Sequence, residues 1–213
     1  RTYRVTLDYR YQQTESHRAT TAMPLGPALA RDVPAVETAT RFRHAASVTF
    51  RHGDQAFTNN QVAVADSQFF DVFDGFTLLH GSRATALDGR GVIVVTASLA
   101  RTVFGRTDVV GETLQAGGSS WTITGVMADV PEASHIPLDA VIDFRSVPAA
   151  FEGNWMAFDF YTYATLTPGT SRAQFERMLQ TIADRHVHAM LREQTNLSPD
   201  EYRFDFVAQP LPS

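Results

Sequence analysis

The sequence of 213 residues contains no cysteine and no lysine, and each absence excludes a class of chemistry. Without thiols, the chain has no disulfide, no thiolate nucleophile and no cysteine-ligated zinc or iron–sulfur site. Without a lysine amine, it cannot form a Schiff base with a substrate or with pyridoxal phosphate, and it lacks the lysine with which a P-loop holds phosphates. The chain is therefore neither a P-loop ATPase nor a pyridoxal-phosphate enzyme.

Positive charge and long apolar runs are also scarce. The 18 arginines are outnumbered by 23 acidic residues, for a formal net charge of −5, whereas a nucleic-acid-binding domain usually carries clustered basic charge. The purest apolar run, Val92–Val95, is far shorter than the roughly 18 residues of a membrane span. The chain starts at Arg1 without an initiator methionine or a signal peptide, so we expect a fragment of a larger protein.

Period-two alternation predicts strands at both ends of the chain. Apolar and polar residues alternate over Tyr3–Tyr11 and again over Tyr202–Ala208, which indicates strands with one buried face. Helical spacing follows the first strand at Pro24–Val33 and precedes the last one at Phe175–Val187. The two ends therefore resemble parts of one βαβ-type subdomain with a second one inserted between them, and we expect the chain ends to lie close together.

The rest of the chain predicts shorter elements with distinct caps and turns. In the first half they are a polar loop at Gln12–Thr21, a strand pair or meander over 36–65 with a turn at Gly53 and Asp54, a helix over Ser67–Phe73 with Asp66 as its N-cap, and Leu78, Leu79 and Gly81 leading into a loop. In the second half they are a strand at Val92–Val95, a helix capped by Thr96 and ended by Gly105, a hairpin turn at Gly117 and Gly118, strands at Leu138–Phe144 and Tyr161–Leu166, and a capping box formed by Ser171 and Gln174.

His186 and His188 are the one histidine pair with a spacing that metal ligands use. On a strand or loop they could bind a metal, but on a helix this spacing points the two rings to different sides. There, both histidines would instead interact favourably with the helix dipole. The His-Glu-x-x-His motif of zinc helices is absent. We therefore assign no metal ligand.

The acidic residues do not form a recognisable catalytic or calcium-binding pattern. Asp66, Asp71 and Asp74 lack the ligand spacing of a calcium loop, and helix capping explains them better. Asp139 and Asp143 are four residues apart on a predicted strand, about 13 Å, which is too far for a glycosidase pair.

A hydrolase remains an alternative to a non-catalytic protein. It would use His135 with Asp139 or Asp129. The Gly-x-Ser-x-Gly elbow of α/β-hydrolases is absent, and so is a Ser-x-x-Lys nucleophile.

Several segments in the middle of the chain carry motifs in a fixed order. They are Val64–Phe73 with Leu78–Gly81, similar to D-x-x-F-F-x-V-F…L-L-x-G; Val92–Gly105, similar to a strand, an S-L-A helix and a Phe-Gly end; Asp108–Leu114, similar to D-P-I-G-K-x-L; Trp121–Pro131, similar to Y-x-V-x-G-V-x-x-D-x-P; and Ser134–Asp139, similar to S-H-x-x-F-D. In this order and spacing they resemble the MacB-like periplasmic core domain of ABC-transporter permeases of the FtsX/MacB superfamily.

The resemblance extends over essentially the whole chain, with two departures. Val109 stands where the family usually has proline, and Glu112 where it usually has lysine. Gln209–Leu211 resembles the run just before the next membrane helix. The motif residues have structural explanations: Asp66 and Thr96 would cap helices, Gly105 and Gly111 would give backbone freedom, and Phe70, Phe73 and Phe104 would fill the core. The resemblance therefore implies no catalytic, cofactor-binding or metal-binding residue.

The resemblance also implies a fold of the α+β class with two lobes. A discontinuous Porter-like lobe would comprise residues 1–66 and 155–213, and an inserted mixed α/β Sabre-like lobe would comprise residues 67–154. Family members place this domain between the first and second membrane helices of the permease, so we expect membrane attachment through flanking helices absent from this fragment.

The implied function is that of a non-catalytic periplasmic domain of a bacterial inner-membrane permease. Such a domain transmits ATP-driven conformational change, for export or for mechanotransmission, by a rigid-body hinge movement. The implied partners are a second permease copy, a cytoplasmic ABC ATPase, and a periplasmic adaptor or lipoprotein cargo, with no nucleic acid and no cofactor. The alternative is a periplasmic ligand-binding or sensor module of a membrane protein, which would require a well-formed pocket.

Overall fold

The structure is a computed structural model that describes residues 1–11, 13–45, 47–59, 61–131, 134, 136–146, 153–196, 198 and 201–211. The chain divides into two compact units. The first comprises Arg1–Arg41 and Ala150–Ser213, and the second comprises Phe42–Ala149. Both combine helices with β-sheet, which confirms the predicted α+β class.

The elements follow one another along the chain with short connections. In chain order they are β1 (Thr2–Tyr11), β2 (Thr14–Arg18), α1 (Leu25–Asp32), β3 (Val36–His44), β4 (Val48–His52), β5 (Gln55–Asn59), β6 (Val62–Ala65), α2 (Phe69–Val72), β7 (Leu78–Gly81), β8 (Val92–Thr96), α3 (Ala97–Phe104), β9 (Thr113–Ala116), β10 (Ser119–Met127), β11 (Ala140–Asp143), a 3-10 turn (Phe144–Ser146), β12 (Tyr161–Leu166), α4 (Arg172–Ile182), a π-helical turn (Ala183–His188), α5 (Ala189–Gln194) and β13 (Tyr202–Pro210).

The first unit is organised around β1. This strand pairs antiparallel with β13 along its length, while its other edge pairs first with β12 and then with β2. Because side chains alternate across a strand, Tyr3, Val5 and Leu7 share one face, and all three are buried. They belong to one apolar core with residues of α1, α4, α5 and β13.

Pairing of β1 with β13 also brings the two ends of the chain together, as expected. Tyr3 lies opposite Pro210 in the ladder, and the Leu211 amide donates to the Thr2 carbonyl at 3.2 Å. The first unit is therefore closed by its own first and last strands.

The second unit contains a mixed sheet whose strands follow the order β6, β11, β8, β10, β9, β4 and β5, with β7 also pairing with β10. The β8–β10 and β6–β11 pairs are parallel, and the other pairs are antiparallel. Strand β8 lies between β10 and β11, and Ile93, Val94 and Val95 in it are buried, as its unbroken apolar run predicts. Helix α3 contributes Leu99 and Val103 to the core against this sheet.

Several predicted caps and turns are confirmed. The Thr96 hydroxyl accepts a hydrogen bond from the Leu99 amide at 3.2 Å, and Gly105 ends α3 in the left-handed region with φ +72°. Ser171 and Gln174 form the reciprocal capping box of α4, with bonds of 3.2 and 2.8 Å. Gly117 and Gly118 both have positive φ in the turn between β9 and β10. Glycine adopts this backbone region without steric cost, as two-residue hairpin turns require.

The structure differs from the local predictions in four places. The predicted loop at Gln12–Thr21 contains β2, which presents no buried face and so gives no alternation signal. Leu78–Gly81 lead into a loop as predicted, but they also form a strand, β7. The region 36–65, predicted as a strand pair or meander, contains four strands, β3 to β6, of which β4 and β5 pair around the predicted turn at Gly53 and Asp54. The last helical region runs on to Gln194, because the π-helical turn changes the helical phase and still leaves Val187 and Leu191 buried.

The expected N-cap role of Asp66 is also wrong. Helix α2 begins only at Phe69, and Gln68, not Asp66, occupies its N-cap position without a side-chain capping bond; the Asp66 carbonyl accepts from the Phe69 amide at 3.0 Å. At the other end, the Arg83 guanidinium donates to the carbonyls of Phe70 and Phe76. An arginine from outside the helix thus satisfies carbonyls that the end of this short helix leaves open.

The compact units have different bounds from the expected lobes. Residues 42–66 were expected in the Porter-like lobe, whereas they fall in the second unit, where β6 pairs with β11 and β4 pairs with β9. The division within the first half of the chain lies inside β3, between Arg41 and Phe42. The correspondence of the units to Porter-like and Sabre-like lobes stays a prediction.

Asp143 is the buried acid of the second unit, and Arg145 neutralises it. The Asp143 side chain is 1% exposed. It accepts from Arg145 Nε at 3.0 Å, from Nη2 at 3.1 Å and from the Arg145 amide at 2.8 Å, while Nη2 also donates to the Leu87 carbonyl at 2.9 Å. This fork ties the end of β11 to the loop before β8.

A substitution at Gly81 tests the close approach of β7 to β10. Its φ is +89°, and a Cβ at this position would lie 2.4 Å from the Thr124 carbonyl oxygen. We expect Gly81→Ala to lower the free energy of unfolding by about 2 kcal/mol or more. Gly75→Ala is the matched control: its Cβ meets nothing within 4 Å, so we expect a change within about 0.5 kcal/mol. Urea unfolding measures both, and equal effects would contradict the close packing.

Removal of the Arg145 fork should leave Asp143 as a buried, unpaired charge. We expect Arg145→Met to cost about 2 kcal/mol of unfolding free energy, less than for a fully buried pair because Arg145 itself is half exposed. The double variant with Asp143→Asn should recover part of that loss, since it removes the stranded charge. Thermal or urea unfolding of the two variants measures this, and a double variant less stable than Arg145→Met would refute the explanation.

Candidate functional site

The acidic and histidine side chains of the described residues do not cluster into a metal-binding group. Within those residues, no group of three or more histidine, aspartate or glutamate side chains could hold a metal ion. None of the helices in the described ranges is long and apolar enough to cross a bilayer. Within the part of the chain that the structure describes, we take a groove on the first unit as the candidate site.

An open groove of about 380 Å³ lies on the first unit, where β1, β2, β13 and the start of α4 meet. Its lining consists of Arg4, Thr6, Asp8, His17, Arg18, Ala19, Arg172, Val207, Ala208, Gln209 and Pro210. Arg4, Thr6 and Asp8 occupy alternate positions of β1, so they share the face opposite the buried Tyr3, Val5 and Leu7. Burial of one face of β1 thus presents the other face to the groove.

Cross-strand pairing sets the order of groups along the groove. Arg4 lies opposite Gln209, Thr6 opposite Val207, and Asp8 opposite His17. Arg4 Nη2 and Nε both donate to the Gln209 side-chain oxygen, at 2.6 and 3.1 Å. At the other end, His17 Nδ1 lies 2.7 Å from Asp8 Oδ1.

The groove carries surplus positive charge. Three arginines and one aspartate in the lining give a formal +2 with His17 neutral. The hydrogen bond and the charge of Asp8 raise the pKa of His17, so the positive charge of the groove grows as the pH falls. The side chain of His17 is 86% exposed, so the solvent screens this pair.

The structure separates the predicted histidine pair, as helical spacing requires. The His186 ring stacks on Trp155, with ring centroids 4.4 Å apart and planes at 6°. His188 instead contacts Asp184 at 2.7 Å and lies beside Tyr202. Burial, followed by the nearby charge of Arg185, lowers the pKa of His186. The metal-binding alternative is therefore not supported by the placement of the two rings.

The acids considered for catalysis have structural partners. Partial burial acts to raise the pKa of Asp129, but hydrogen bonds from the Ser98 hydroxyl and amide, both 2.7 Å, bring it below its usual value. The Asp139 carboxylate accepts a hydrogen bond from the side-chain amide of Asn59, Nδ2, at 2.9 Å. His135 lies outside the described residues, so the alternative that pairs it with these acids is not tested.

The three acids weighed as a calcium loop surround α2 without converging. Asp71 lies within the helix and Asp74 follows it, while Asp66 precedes it. None of them belongs to a metal-binding group among the described residues.

Sequence reasoning missed the groove, although part of the signal was present. The polar set of β1 was visible as the residues that alternate with Tyr3, Val5 and Leu7. The contributions of β2 and β13 depend on register, which a single sequence does not specify when one strand, here β2, lacks a buried face.

The comparisons with solved structures place the fold among permease domains. The chain is similar to a crystal structure of a domain of a permease protein from Porphyromonas gingivalis, with a TM-score of 0.83 and 25% identity, covering 100% of this chain and 90% of that one. It is similar in fold to the periplasmic region of MacB from Actinobacillus actinomycetemcomitans, with a TM-score of 0.61, 15% identity, and 90% and 94% of the two chains covered.

A third solved structure extends the likeness to Gram-positive bacteria. The extracellular domain of the noncanonic ABC-type transporter YknZ matches with a TM-score of 0.61 and 16% identity, over 96% of this chain and 99% of that one. A comparison with curated proteins finds no match. The model of the MacB-like periplasmic core domain matches residues 1–182. The chain therefore belongs to the family of MacB-like periplasmic core domains.

Proposed function

We propose that this domain transmits movement driven by ATP hydrolysis on a cytoplasmic subunit to partners or cargo on the periplasmic side of the membrane. The observation that carries the proposal is the family match over residues 1–182, with permease domains as structural neighbours. These 213 residues contain no P-loop lysine, so ATP would be hydrolysed on a cytoplasmic subunit or domain outside them. The partners would be that ATPase, a second copy of the permease, and an adaptor or a lipoprotein cargo.

The packing of both units suits a domain that moves as stiff bodies. Fully buried aromatic side chains occur in each, Phe175 and Phe204 in the first and Phe69 and Phe70 in the second. Interiors packed in this way transmit strain instead of absorbing it. We propose that the two compact units act as the Porter-like and Sabre-like lobes, and that the domain works through rigid-body displacement.

The sensor alternative would need an enclosed pocket lined mostly by apolar groups with a few convergent polar ones. The groove of the first unit is open to solvent and does not enclose a cavity. It therefore favours contact with a partner surface over capture of a small ligand.

The absence of cysteine makes the proposed movement measurable. Ala173 lies exposed on α4 in the first unit, and Thr102 lies exposed on α3 in the second. A single Ala173→Cys or Thr102→Cys substitution introduces the only thiol of this chain. Spin labels at that site in the intact permease, assembled with its ATPase, then report the distance between two copies by pulsed electron resonance.

We expect the distance between copies to change by more than about 5 Å between the nucleotide-free and ATP-bound states for at least one site. An ATPase variant that binds ATP without hydrolysing it is the control for the bound state. Unchanged distances at both sites through the ATP cycle would contradict transmission of movement by this domain.

A further inference from the structure

Arg4 carries a positive charge that no acid in the described part of the chain neutralises. Its guanidinium donates to the neutral side-chain oxygen of Gln209 through Nε and Nη2. A guanidinium has five N–H donors in a fixed fork, and the contact with Gln209 uses only two of them. The group is therefore held in one place while it keeps donors and charge for an outside acceptor.

Two further arginines belong to the lining, and Arg18 lies toward its Asp8 end, opposite Leu7 on β1. Arg18 lies over the Tyr9 ring, 5.5 Å from its centroid, and within the described residues it has no acidic partner. Arg172 pairs with Glu176 at 2.9 Å, so its charge is already matched. With Arg172 matched by Glu176, Arg4, Arg18 and Asp8 leave the lining with a formal charge of +1, in a chain whose overall charge is −5.

At its other end, the floor of the groove carries the negatively charged side chain of Asp8. Asp8 is four residues from Arg4 on the same face of β1, which places it about 13 Å away at ~3.3 Å per residue. Its side chain is 35% exposed, and His17 occupies one of its oxygens. The groove thus offers a cation, then the Thr6–Val207 pair, then a carboxylate with accepting capacity left.

We propose that this groove binds an extended segment of a partner polypeptide, with a carboxylate of that segment on Arg4 and a basic or hydrogen-bond-donating side chain on Asp8. An extended chain advances ~3.3 Å per residue, so the two side chains would be about four residues apart. Charge complementarity favours a polypeptide over an anionic lipid surface, because phosphates would face the Asp8 carboxylate. This proposal rests on the proposed function only in expecting a protein partner.

The test uses the 213-residue chain and a fluorescein-labelled peptide of glycine, serine and threonine that contains one glutamate and one lysine four positions apart. Anisotropy at about 50 mM salt, where screening is moderate, measures the affinity. We expect a dissociation constant on the order of 100 μM, as for a small and exposed interface. Replacement of the peptide's glutamate by glutamine should weaken binding about tenfold.

Two variants remove the free charge of Arg4 in different ways. Arg4→Gln deletes it, and Gln209→Glu keeps Arg4 but supplies an internal carboxylate at the same hydrogen-bonding position. We expect each to weaken peptide binding about tenfold, and circular dichroism shows whether each is folded. Gln209→Glu should fold normally because it adds an ion pair, so the test does not depend on the tolerance of Arg4→Gln.

Arg51→Gln is the matched control, since it makes the same charge change on the exposed end of β4 in the second unit. We expect it to change the affinity less than twofold. Equal weakening by Arg4→Gln and Arg51→Gln would show attraction by net charge alone and overturn the proposal. It would also be overturned if phosphatidylglycerol vesicles bind in an Arg4-dependent way and the peptide does not.

The outcome of the peptide test is independent of the outcome of the test of the proposed function. Peptide binding is measured without ATP, ATPase or membrane, so its failure leaves the expected movement of labelled copies untouched. Failure of that movement would in turn leave a peptide-binding groove in place.

Discussion

The two-sided character of β1 is the constraint on which the first unit depends. Tyr3, Val5 and Leu7 have to be buried, because each removes apolar surface from water against α1, α4 and β13. A strand that buries one face presents its other face on the opposite side of the sheet, so Arg4 and Asp8 are directed away from the core. The same ladder that closes the core therefore determines the order of charges along the groove.

In the second unit, polar and charged side chains hold the ends of helices and strands in place by hydrogen bonds. Helices α2 and α3 are short, and neither could persist without support from outside. Arg83 satisfies carbonyls at the end of α2, and Ser98 with Asp129 ties the loop after β10 to the start of α3. The buried Asp143 is held by Arg145 in the same manner. Stiffness here comes from ends that are fixed by charged side chains as well as from apolar packing.

Sequence periodicity predicted an element wherever that element has a buried face or a capping residue at its end. Strand β1 alternates cleanly, α3 has Thr96 and Gly105, and α4 has its capping box, and the starts of all three were predicted close to where the structure has them. It was insufficient for β2, whose residues are all at least partly exposed, and for α2, where the N-cap expected from Asp66 does not form. The groove needed the register of three strands, which depends on contacts between distant parts of the chain.

The pairing of the first and last strands bears on how the domain could pass on a displacement. Thr2 and Leu211 are joined by a backbone hydrogen bond, so any force applied through both neighbouring segments enters the first unit at one corner of its sheet. A force that separated these two ends would open the β1–β13 ladder one bond after another, each worth only ~1 kcal/mol. A force that moved them together would load the whole ladder and the core behind it. The architecture therefore resists displacement best when both ends move as one, which is the movement that the proposed transmission would require.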